Sequence, residues 1–211
     1  LLFTGLNRSR GLWQRSGSMA RRILVFLGHP DRGRYCGALA KKYVEGAREG
    51  GHQIRFIELA DMDFNPNLKH GYAKRIPLEP CLESAWEDIM WAQHLVFVYP
   101  TWWGMPPAKM KGFIDRLFLP GRAYRLEKGG VRIKRLLKGK TARLVVTMDT
   151  PYLYYLFVIG SPGHRMMKKS VLNFCGVNPV KSTTVSRLKF LDDDRREKWK
   201  EKIRILGKRG V

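Results

Sequence analysis

The sequence predicts an α/β three-layer sandwich, in which a five-stranded parallel sheet of order 2-1-3-4-5 carries helices on both faces. Two observations favour this class. Five short apolar or β-branched runs alternate along the chain with segments whose apolar residues recur at helical spacing. Most of these runs are apolar along their whole length, which is typical of strands that a parallel sheet buries on both faces.

The first two strands and the helix between them have clear sequence boundaries. The run Arg22–Leu27 predicts a buried strand, and apolar residues at helical spacing predict a helix over residues 36–49. This helix stops at Gly50 and Gly51, because glycine favours helix ends. Residues 53–59 predict the second strand, which alternates only in part, and a loop follows over residues 61–77.

Two further helices are predicted on either side of the third strand. The first has apolar residues at i, i+3, i+4, i+7 and i+8 counted from Leu82, with Pro80 near its first turn. The third strand covers residues 95–99 and ends at a proline. A second helical stripe runs from residue 110 to residue 118 and stops before Pro120.

The C-terminal part predicts two strands, over residues 142–148 and 180–185, each followed by a helix. Ser161 and Pro162 have the types that favour the N-cap and first position of a helix that ends at Gly176. Four residues of that helix are expected to face inward: Met167, Ser170, Val171 and Phe174. Residues 192–194, all Asp, open the last helix, which Gly207 is expected to end.

Length and composition exclude several classes of protein. The chain has 211 residues, of which 44% are hydrophobic, so it can bury one sizeable core, unlike a disordered basic tail. No uncharged apolar run reaches the length of about 18 residues that a membrane-spanning helix needs. Three scattered Cys without a C-x-x-C spacing argue against a disulfide framework or a metal site, and they fit a reducing, cytoplasmic compartment.

The basic residues exceed the acidic ones by 22, and seven of them lie between Lys128 and Arg143 with no acid among them. So large a charge is compatible with nucleic-acid binding, but an enzyme with a solvated basic face is the favoured interpretation. Residues 1–18 contain three Arg and no acid, which fits a leader, a tag or an upstream extension, with a transit peptide as the alternative. We therefore expect the folded domain to cover residues 19–211.

Ligands of such sheets bind beyond the carboxyl ends of the strands, near the point where the strand order reverses. Three loops of unusual composition leave those ends, over residues 28–36, 99–105 and 147–155. The first precedes a helix N-terminus, whose free N–H groups suit a phosphate, and Arg34 could bind that phosphate with two hydrogen bonds. The loop lacks the Lys and the Ser or Thr of a P-loop, which argues against hydrolysis of a nucleoside triphosphate.

The other two loops are rich in aromatic residues. Trp102 and Trp103 could line a planar ligand, and Gly104 would permit a close backbone approach; two core or interface tryptophans are the alternative. The third loop carries three Tyr, for which a hydrophobic dimer patch is the alternative to a site. His52, His70 and His94 show no metal-ligand spacing, and we expect them to be surface or capping residues.

The segment over residues 98–118 reads Val-Tyr-Pro-Thr-Trp-Trp-Gly-Met-Pro-Pro-Ala-Lys-Met-Lys-Gly-Phe-Ile-Asp-Arg-Leu-Phe. It resembles the signature of the flavin-dependent NAD(P)H:quinone oxidoreductase family. Gly-Arg-Ala-Tyr at 121–124, Gly-His-Pro at 28–30, Asn-Pro at 65–66 and Asn-Phe-Cys-Gly at 173–176 are similar to other parts of its pattern. The resemblance covers about residues 20–190.

This resemblance implies a flavodoxin-like domain that binds a flavin, with FAD favoured over FMN, and that is usually a homodimer. NAD(P)H would be the co-substrate and a small quinone-like molecule the acceptor, with nucleic acid not expected as a partner. The residues placed at the flavin, by matched position or by the loop analysis, are His29, Arg34, Tyr35, Cys36, Pro100, Thr101, Trp102, Trp103, Gly104, Thr147, Met148, Asp149 and Thr150. No metal ligand is implied.

The implied mechanism transfers hydride from NAD(P)H to the flavin and then, in the same pocket, to the acceptor, which predicts ping-pong kinetics. Tyr155 and His164 match the family's Tyr/His pair and would relay a proton, with Tyr154 as the alternative to Tyr155. Two other functions stay open. One is a one-electron flavodoxin carrier, which the charge of +22 disfavours because such carriers work through acidic faces. The other is a basic nucleic-acid-binding or regulatory protein that kept the fold.

Overall fold

The computed structural model describes residues 20–127 and 132–211. The predicted leader and the start of the basic segment, residues 128–131, lie outside the described residues. The central sheet has five parallel strands in the order β2-β1-β3-β6-β7, which confirms the predicted 2-1-3-4-5 winding. Its strands are β1 (Arg22–Leu27), β2 (Gln53–Glu58), β3 (His94–Pro100), β6 (Thr141–Thr147) and β7 (Val180–Val185).

Helices cover both faces of this sheet, as the alternation of apolar runs predicts. They are α1 (Tyr35–Glu49), α2 (Pro80–Trp91), α3 (Ala108–Leu117), α4 (Tyr152–Phe157), α5 (Pro162–Arg165), which continues as a π-helix over Met166–Asn173, and α6 (Asp193–Lys208). Among the described residues, no helix is both long and apolar enough to cross a membrane.

Two hydrophobic clusters lie on opposite faces of the sheet. The larger one packs α2, α3 and the π-helix against one face, where Phe26 and Phe97 stack with their ring centroids 4.7 Å apart. The smaller one packs α1 and α6 against the other face through residues such as Tyr43 and Ile203. Strand β3 is buried at every position, because it lies at the centre of the sheet between both helical layers.

The structure corrects the expected path of the chain before β6. Strands β4 (Tyr124–Leu126) and β5 (Ile133–Arg135) form an antiparallel hairpin that the sequence analysis does not predict. Each strand has only three residues and most of them are exposed, so neither carries the apolar run that marks the central strands.

The helix that follows β6 also differs from expectation. Ser161 does not cap it: its φ is +47° and its side chain makes no capping hydrogen bond. Over Met166–Asn173 the chain forms a π-helix, whose wider turn shifts the buried face, so that Leu172 is buried and Ser170 is exposed. Gly207 lies inside α6, one residue before its end, instead of ending it. A Cβ at this position would approach the carbonyl oxygen of Tyr43 on α1 to 2.1 Å, so the glycine permits the close packing of the two helices.

Two of the three histidines expected to be surface or capping residues are buried. His52 is 6% exposed; its Nδ1 accepts from the Arg21 backbone N–H at 3.1 Å and its Nε2 lies 3.2 Å from the Lys208 carbonyl oxygen. His94, the first residue of β3, is 3% exposed. Isolated histidines carry no periodic signal, so only the packing around the amino ends of the strands reveals their burial.

Candidate active site

A cleft of about 280 Å³ opens where β1, β3 and β6 reach their carboxyl ends. In a sheet of this order the winding reverses between β1 and β3, so the cleft lies at the position where such folds bind ligands. Ten of the thirteen residues predicted at the flavin line it: His29, Arg34, Tyr35, Cys36, Pro100, Thr101, Trp102, Thr147, Met148 and Asp149.

The loop between β1 and α1 is held by the side chain of Asp31. One carboxylate oxygen accepts from the backbone N–H of Gly33 at 2.8 Å, and the other pairs with Arg34 Nε at 2.8 Å. No side chain caps the start of α1, and its first turn contains no acidic residue. The free backbone N–H groups there carry partial positive charge and are suited to an anion.

His29 adds a hydrogen bond donor to this end of the cleft. Its Nδ1 accepts from the backbone N–H of Asp31 at 2.9 Å, and burial lowers its pKa. The ring is therefore neutral near pH 7 and carries its proton on Nε2, which has no other protein partner among the described residues. The ring also contacts Trp102 edge to face, with 5.7 Å between centroids.

Arg196 and Leu188 line the cleft, although the sequence analysis names neither. Arg196 lies on α6, which packs along α1, and its carbonyl accepts from the Tyr35 hydroxyl at 2.7 Å. Its buried Nε has no hydrogen bond partner in the described structure. Nothing in the sequence marks this arginine among the many basic residues of α6, because its place in the cleft depends on how the two helices pack.

The loop after β3 contains a tight two-residue turn. Trp102 and Met105 exchange both backbone hydrogen bonds, at 2.9 and 3.0 Å, and the two residues between them have positive φ, +52° for Trp103 and +78° for Gly104. A left-handed conformation is easy for glycine and costs a bulky residue about 1–2 kcal/mol. Trp103 is fully exposed, and neither turn residue lines the cleft.

The residues after β6 that line the cleft are tied to neighbouring segments by polar contacts. The Thr147 hydroxyl lies 3.1 Å from Cys36 Sγ, and the Met148 N–H donates to the Val185 carbonyl at 2.9 Å. Asp149 accepts from the backbone N–H of Lys189 at 2.9 Å, while Thr150 lies outside the cleft lining. Burial raises the pKa of Cys36 to about 11, so this thiol stays protonated and does not act as a nucleophile.

Tyr155 and His164 meet, as the sequence predicts. The Tyr155 hydroxyl donates to the Gly104 carbonyl at 3.1 Å, and His164 Nδ1 lies 3.1 Å from the same hydroxyl. His164 Nε2 lies 2.9 Å from Thr184 Oγ1. Since the Gly104 carbonyl can only accept, one proton order satisfies every group: Thr184 donates to Nε2, and Nδ1–H donates to Tyr155.

This chain of hydrogen bonds lies behind the Trp103–Gly104 turn. Tyr155 is completely buried, neither it nor His164 lines the cleft, and burial lowers the pKa of His164 to about 4. His164 is therefore neutral at pH 7, in agreement with the proton order. The alternative partner, Tyr154, is 53% exposed, and its hydroxyl has no hydrogen bond among the described residues.

Residues 21–208 match the model of a protein family described by its flavodoxin-like fold. The chain belongs to this flavodoxin-like family. An "uncharacterized NAD(P)H oxidoreductase" of Haemophilus influenzae is 28% identical over 82% of this chain and 88% of that protein. The "NAD(P)H dehydrogenase [quinone] 1" of Rattus norvegicus is 22% identical over 88% of this chain and 77% of its own length.

Solved structures show the same flavodoxin-like architecture. The crystal structure of Smu.1420 from Streptococcus mutans superposes with a TM-score of 0.77 at 29% identity, over 90% of this chain and 99% of that one. An NAD(P)H:quinone oxidoreductase from Methanothermobacter marburgensis gives a TM-score of 0.76 at 24% identity, over 90% of this chain and 98% of that one.

An apolar patch interrupts the polar surface of this flavodoxin-like domain. It is formed by Trp103, by the exposed side of α4 and by the residues that follow this helix; Leu153 is 67% and Phe157 77% exposed. The patch also includes Tyr152, Tyr154, Val158 and Ile159. Large apolar side chains that are exposed together, in contrast to ones scattered singly, are typical of interaction surfaces.

Proposed function

We propose that this protein is a flavin-dependent NAD(P)H oxidoreductase that reduces quinone-like acceptors. The observation that carries the proposal is the cleft at the reversal of strand order, which combines free N–H groups and arginines at one end with an aromatic ring beside them. The names of the Haemophilus and rat relatives support the NAD(P)H oxidoreductase class. The rat relative's name supports quinone as the acceptor class.

The residues present fit a flavin with its phosphate end toward α1. Arg196 Nε is buried without a partner, which costs free energy until an anionic acceptor reaches it. Arg34, His29 Nε2 and the start of α1 would bind the same group, while Pro100 and Trp102 would contact the ring system. Two arginines at one end of the cleft match a diphosphate, so we retain FAD over FMN as the expected cofactor.

A bound flavin would supply two-electron hydride transfer between NAD(P)H and an acceptor. The chain itself would hold the ring by means of the backbone and side chains of residues 100–102. Thr147 and Met148 would border it on the β6 side. Use of one open cleft for both substrates in turn is the basis for the ping-pong kinetics that we expect.

For Tyr155 and His164 the geometry supports a positioning role. The Tyr155 hydroxyl, which His164 orients, donates to the Gly104 carbonyl, and this carbonyl also accepts from the backbone N–H of Gly163 at 2.9 Å. These bonds help to fix the turn that carries Trp103. The proton relay implied for this pair stays a prediction, because a relay needs a ligand atom within hydrogen bond reach of one of the two side chains.

The test of the proposed function is direct. The purified protein should absorb as a flavoprotein, lose that absorbance when NADH or NADPH is added without oxygen, and regain it with a quinone. Chromatography of the cofactor released by heat distinguishes FAD from FMN. A protein that takes up neither flavin and oxidises neither nicotinamide would refute the proposal, and steady-state plots that intersect would refute the shared cleft.

We also propose that the apolar patch is the contact between two copies in a homodimer. Phe157→Ser, placed at the most exposed residue of α4, should shift the mass measured by light scattering from two chains to one. The control is Phe190→Ser, which removes a 60% exposed Phe outside this patch and should leave the mass unchanged. A wild-type protein that is monomeric at micromolar concentration would contradict this assignment.

A further inference from the structure

The loop that follows β7, over residues 186–191, is attached to the wall of the cleft and carries charged side chains that the proposed flavin contacts do not use. Its Leu188 lines the cleft, and the backbone N–H of this residue donates to the Met148 carbonyl at 3.1 Å. The next N–H, that of Lys189, donates at 2.9 Å to the carboxylate of Asp149, which also lines the cleft. These two bonds hold the loop, here called the β7 loop, against the β6 side of the cleft.

Arg187 has a strained backbone at the start of this loop. Its φ is +54° and its ψ is +38°, a left-handed conformation that costs a residue other than glycine about 1–2 kcal/mol. A 3₁₀ turn over Leu188–Phe190 follows, and the Phe190 N–H donates to the Arg187 carbonyl at 2.9 Å. The turn and the two bonds to the cleft wall together keep Arg187 in this conformation. Backbone strain that neighbouring contacts maintain occurs preferentially at ligand-binding positions.

Two cations of the β7 loop share one aromatic ring. The guanidinium of Arg187 lies 5.5 Å and Lys189 Nζ 4.9 Å from the centroid of the Phe190 ring, which is 60% exposed. Neither cation pairs with a carboxylate or donates a hydrogen bond to another described residue. The ring therefore holds two like charges near each other, and an anion with two negative charges would stabilise both of them.

The two nicotinamide co-substrates differ by a group of this kind. NADPH carries a 2′-phosphate on the ribose of its adenosine, where NADH has a hydroxyl group. Dinucleotide-binding α/β folds distinguish the two by an acid that binds the hydroxyl or an arginine that binds the phosphate. Asp149 is the only acid among the described residues that line the cleft, and one of its oxygens already accepts from Lys189. The unpaired cations on this side of the cleft therefore favour the phosphate.

We propose that the β7 loop favours NADPH over NADH because it binds the 2′-phosphate. The guanidinium of Arg187 donates two hydrogen bonds to the phosphate, Lys189 adds an ammonium donor, and the Phe190 ring holds both cations in place. Arg34 and Arg196 remain with the flavin phosphates. This inference rests on the proposed function, since it assigns the nicotinamide co-substrate of the same cleft.

Steady-state oxidation of NADPH and NADH at constant ionic strength, with one quinone as the acceptor, tests this preference. The wild type should have a kcat/KM roughly tenfold higher for NADPH than for NADH, the order expected for one charge-assisted contact. Arg187→Asn should lower kcat/KM for NADPH by roughly tenfold and change that for NADH by less than about twofold. Asparagine tolerates the left-handed conformation, so this variant keeps the backbone of the turn. Lys189→Gln should act in the same direction.

The matched control is Arg209→Asn, which removes the same charge from an exposed position. Arg209 caps the end of α6, about 20 Å along this helix from Arg196. Its loss should change both kcat/KM values by less than about twofold, because distant surface charges are screened. Equal kcat/KM values for NADPH and NADH in the wild type, or an equal loss for both in Arg187→Asn, would overturn the inference and leave the proposed function in place.

Binding measurements give a second readout that does not need turnover. In calorimetric titrations of the protein, saturated with its flavin where it binds one, NADP⁺ should bind roughly tenfold more tightly than NAD⁺, and Arg187→Asn should remove this difference. Tighter binding of NADP⁺ to a protein that oxidises neither nicotinamide would refute the proposed function alone. Equal dissociation constants would refute the inference, and so would a loss of flavin affinity in Arg187→Asn that exceeds the loss of NADP⁺ affinity, because the loop would then bind the flavin.

Discussion

Replacement of Tyr155 by Phe tests whether the buried hydrogen bond chain holds the turn at the cleft. The substitution keeps the aromatic ring, which is completely buried, and removes only the hydroxyl that donates to Gly104 and accepts from His164 Nδ1. The Gly104 carbonyl keeps its bond from Gly163, so it is not left without a donor. The Nδ1–H of His164 and its backbone N–H, which donates to the same hydroxyl at 3.4 Å, both lose their acceptor, and these losses determine the cost.

The expected cost is about 1–2 kcal/mol, the lower part of the range for a buried polar group that loses its partner, because His164 is only half-buried. For a chain of this size that corresponds to a fall in melting temperature of roughly 2–8 °C. The matched control is Tyr154→Phe, which removes an exposed hydroxyl from the next residue on the same helix. It should cost less than about 0.5 kcal/mol.

Urea unfolding followed by circular dichroism gives the two free energies, and steady-state kinetics give the effect on function. If Tyr155 positions the turn, Tyr155→Phe should change KM for the acceptor or the affinity for flavin while the pH profile of kcat keeps its shape. A proton relay would instead lower kcat and alter that profile. Free energies and kinetic constants that are equal for the two variants would refute both roles for Tyr155.

Three further predictions concern other charged groups. Arg116→Met should cost about 3–5 kcal/mol in unfolding free energy, since Arg116 is 1% exposed and pairs with Glu79 at 2.8 Å. Arg122→Met, which removes a more exposed ion pair with Glu83 of α2, should cost below about 1 kcal/mol. Arg196→Met should weaken flavin binding by roughly tenfold or more, measured by fluorescence titration, without loss of folding. Burial lowers the pKa of His164 to about 4, so as the pH falls the unfolded chain binds a proton at this residue before the folded chain does. The free energy of unfolding should therefore fall between pH 6.5 and 4, and it should fall less steeply in His164→Gln.

The sheet was predictable from the sequence because burial on both faces leaves a direct mark. Strand β3 is apolar almost throughout, and its Phe97 stacks on Phe26 of β1, as expected for adjacent central strands. The hairpin of β4 and β5 was not predictable, because its strands have three residues each, half of these residues are charged and most are exposed.

The cleft was predictable where its residues follow directly from strand ends. Pro100, Thr101 and Thr147 lie there because strands β3 and β6 deliver them to the same edge of the sheet. Arg196 comes from the opposite end of the chain, and its position depends on the packing of α6 on α1. The same reason hides the burial of His94, whose surroundings are assembled from four separate segments.

The turn at Trp103 shows why sequence patterns describe elements better than sites. A left-handed tryptophan that is fully exposed gains nothing from packing within the described chain and costs about 1–2 kcal/mol. The turn nevertheless persists, because two backbone bonds between Trp102 and Met105 close it and Tyr155 holds the carbonyl of the next residue. Strain that is fixed by several independent contacts is typical of functional sites. The position of this indole beside the cleft therefore depends in part on Tyr155, which lies 51 positions after Gly104 in the chain, and Tyr155→Phe removes one of the contacts that hold the turn.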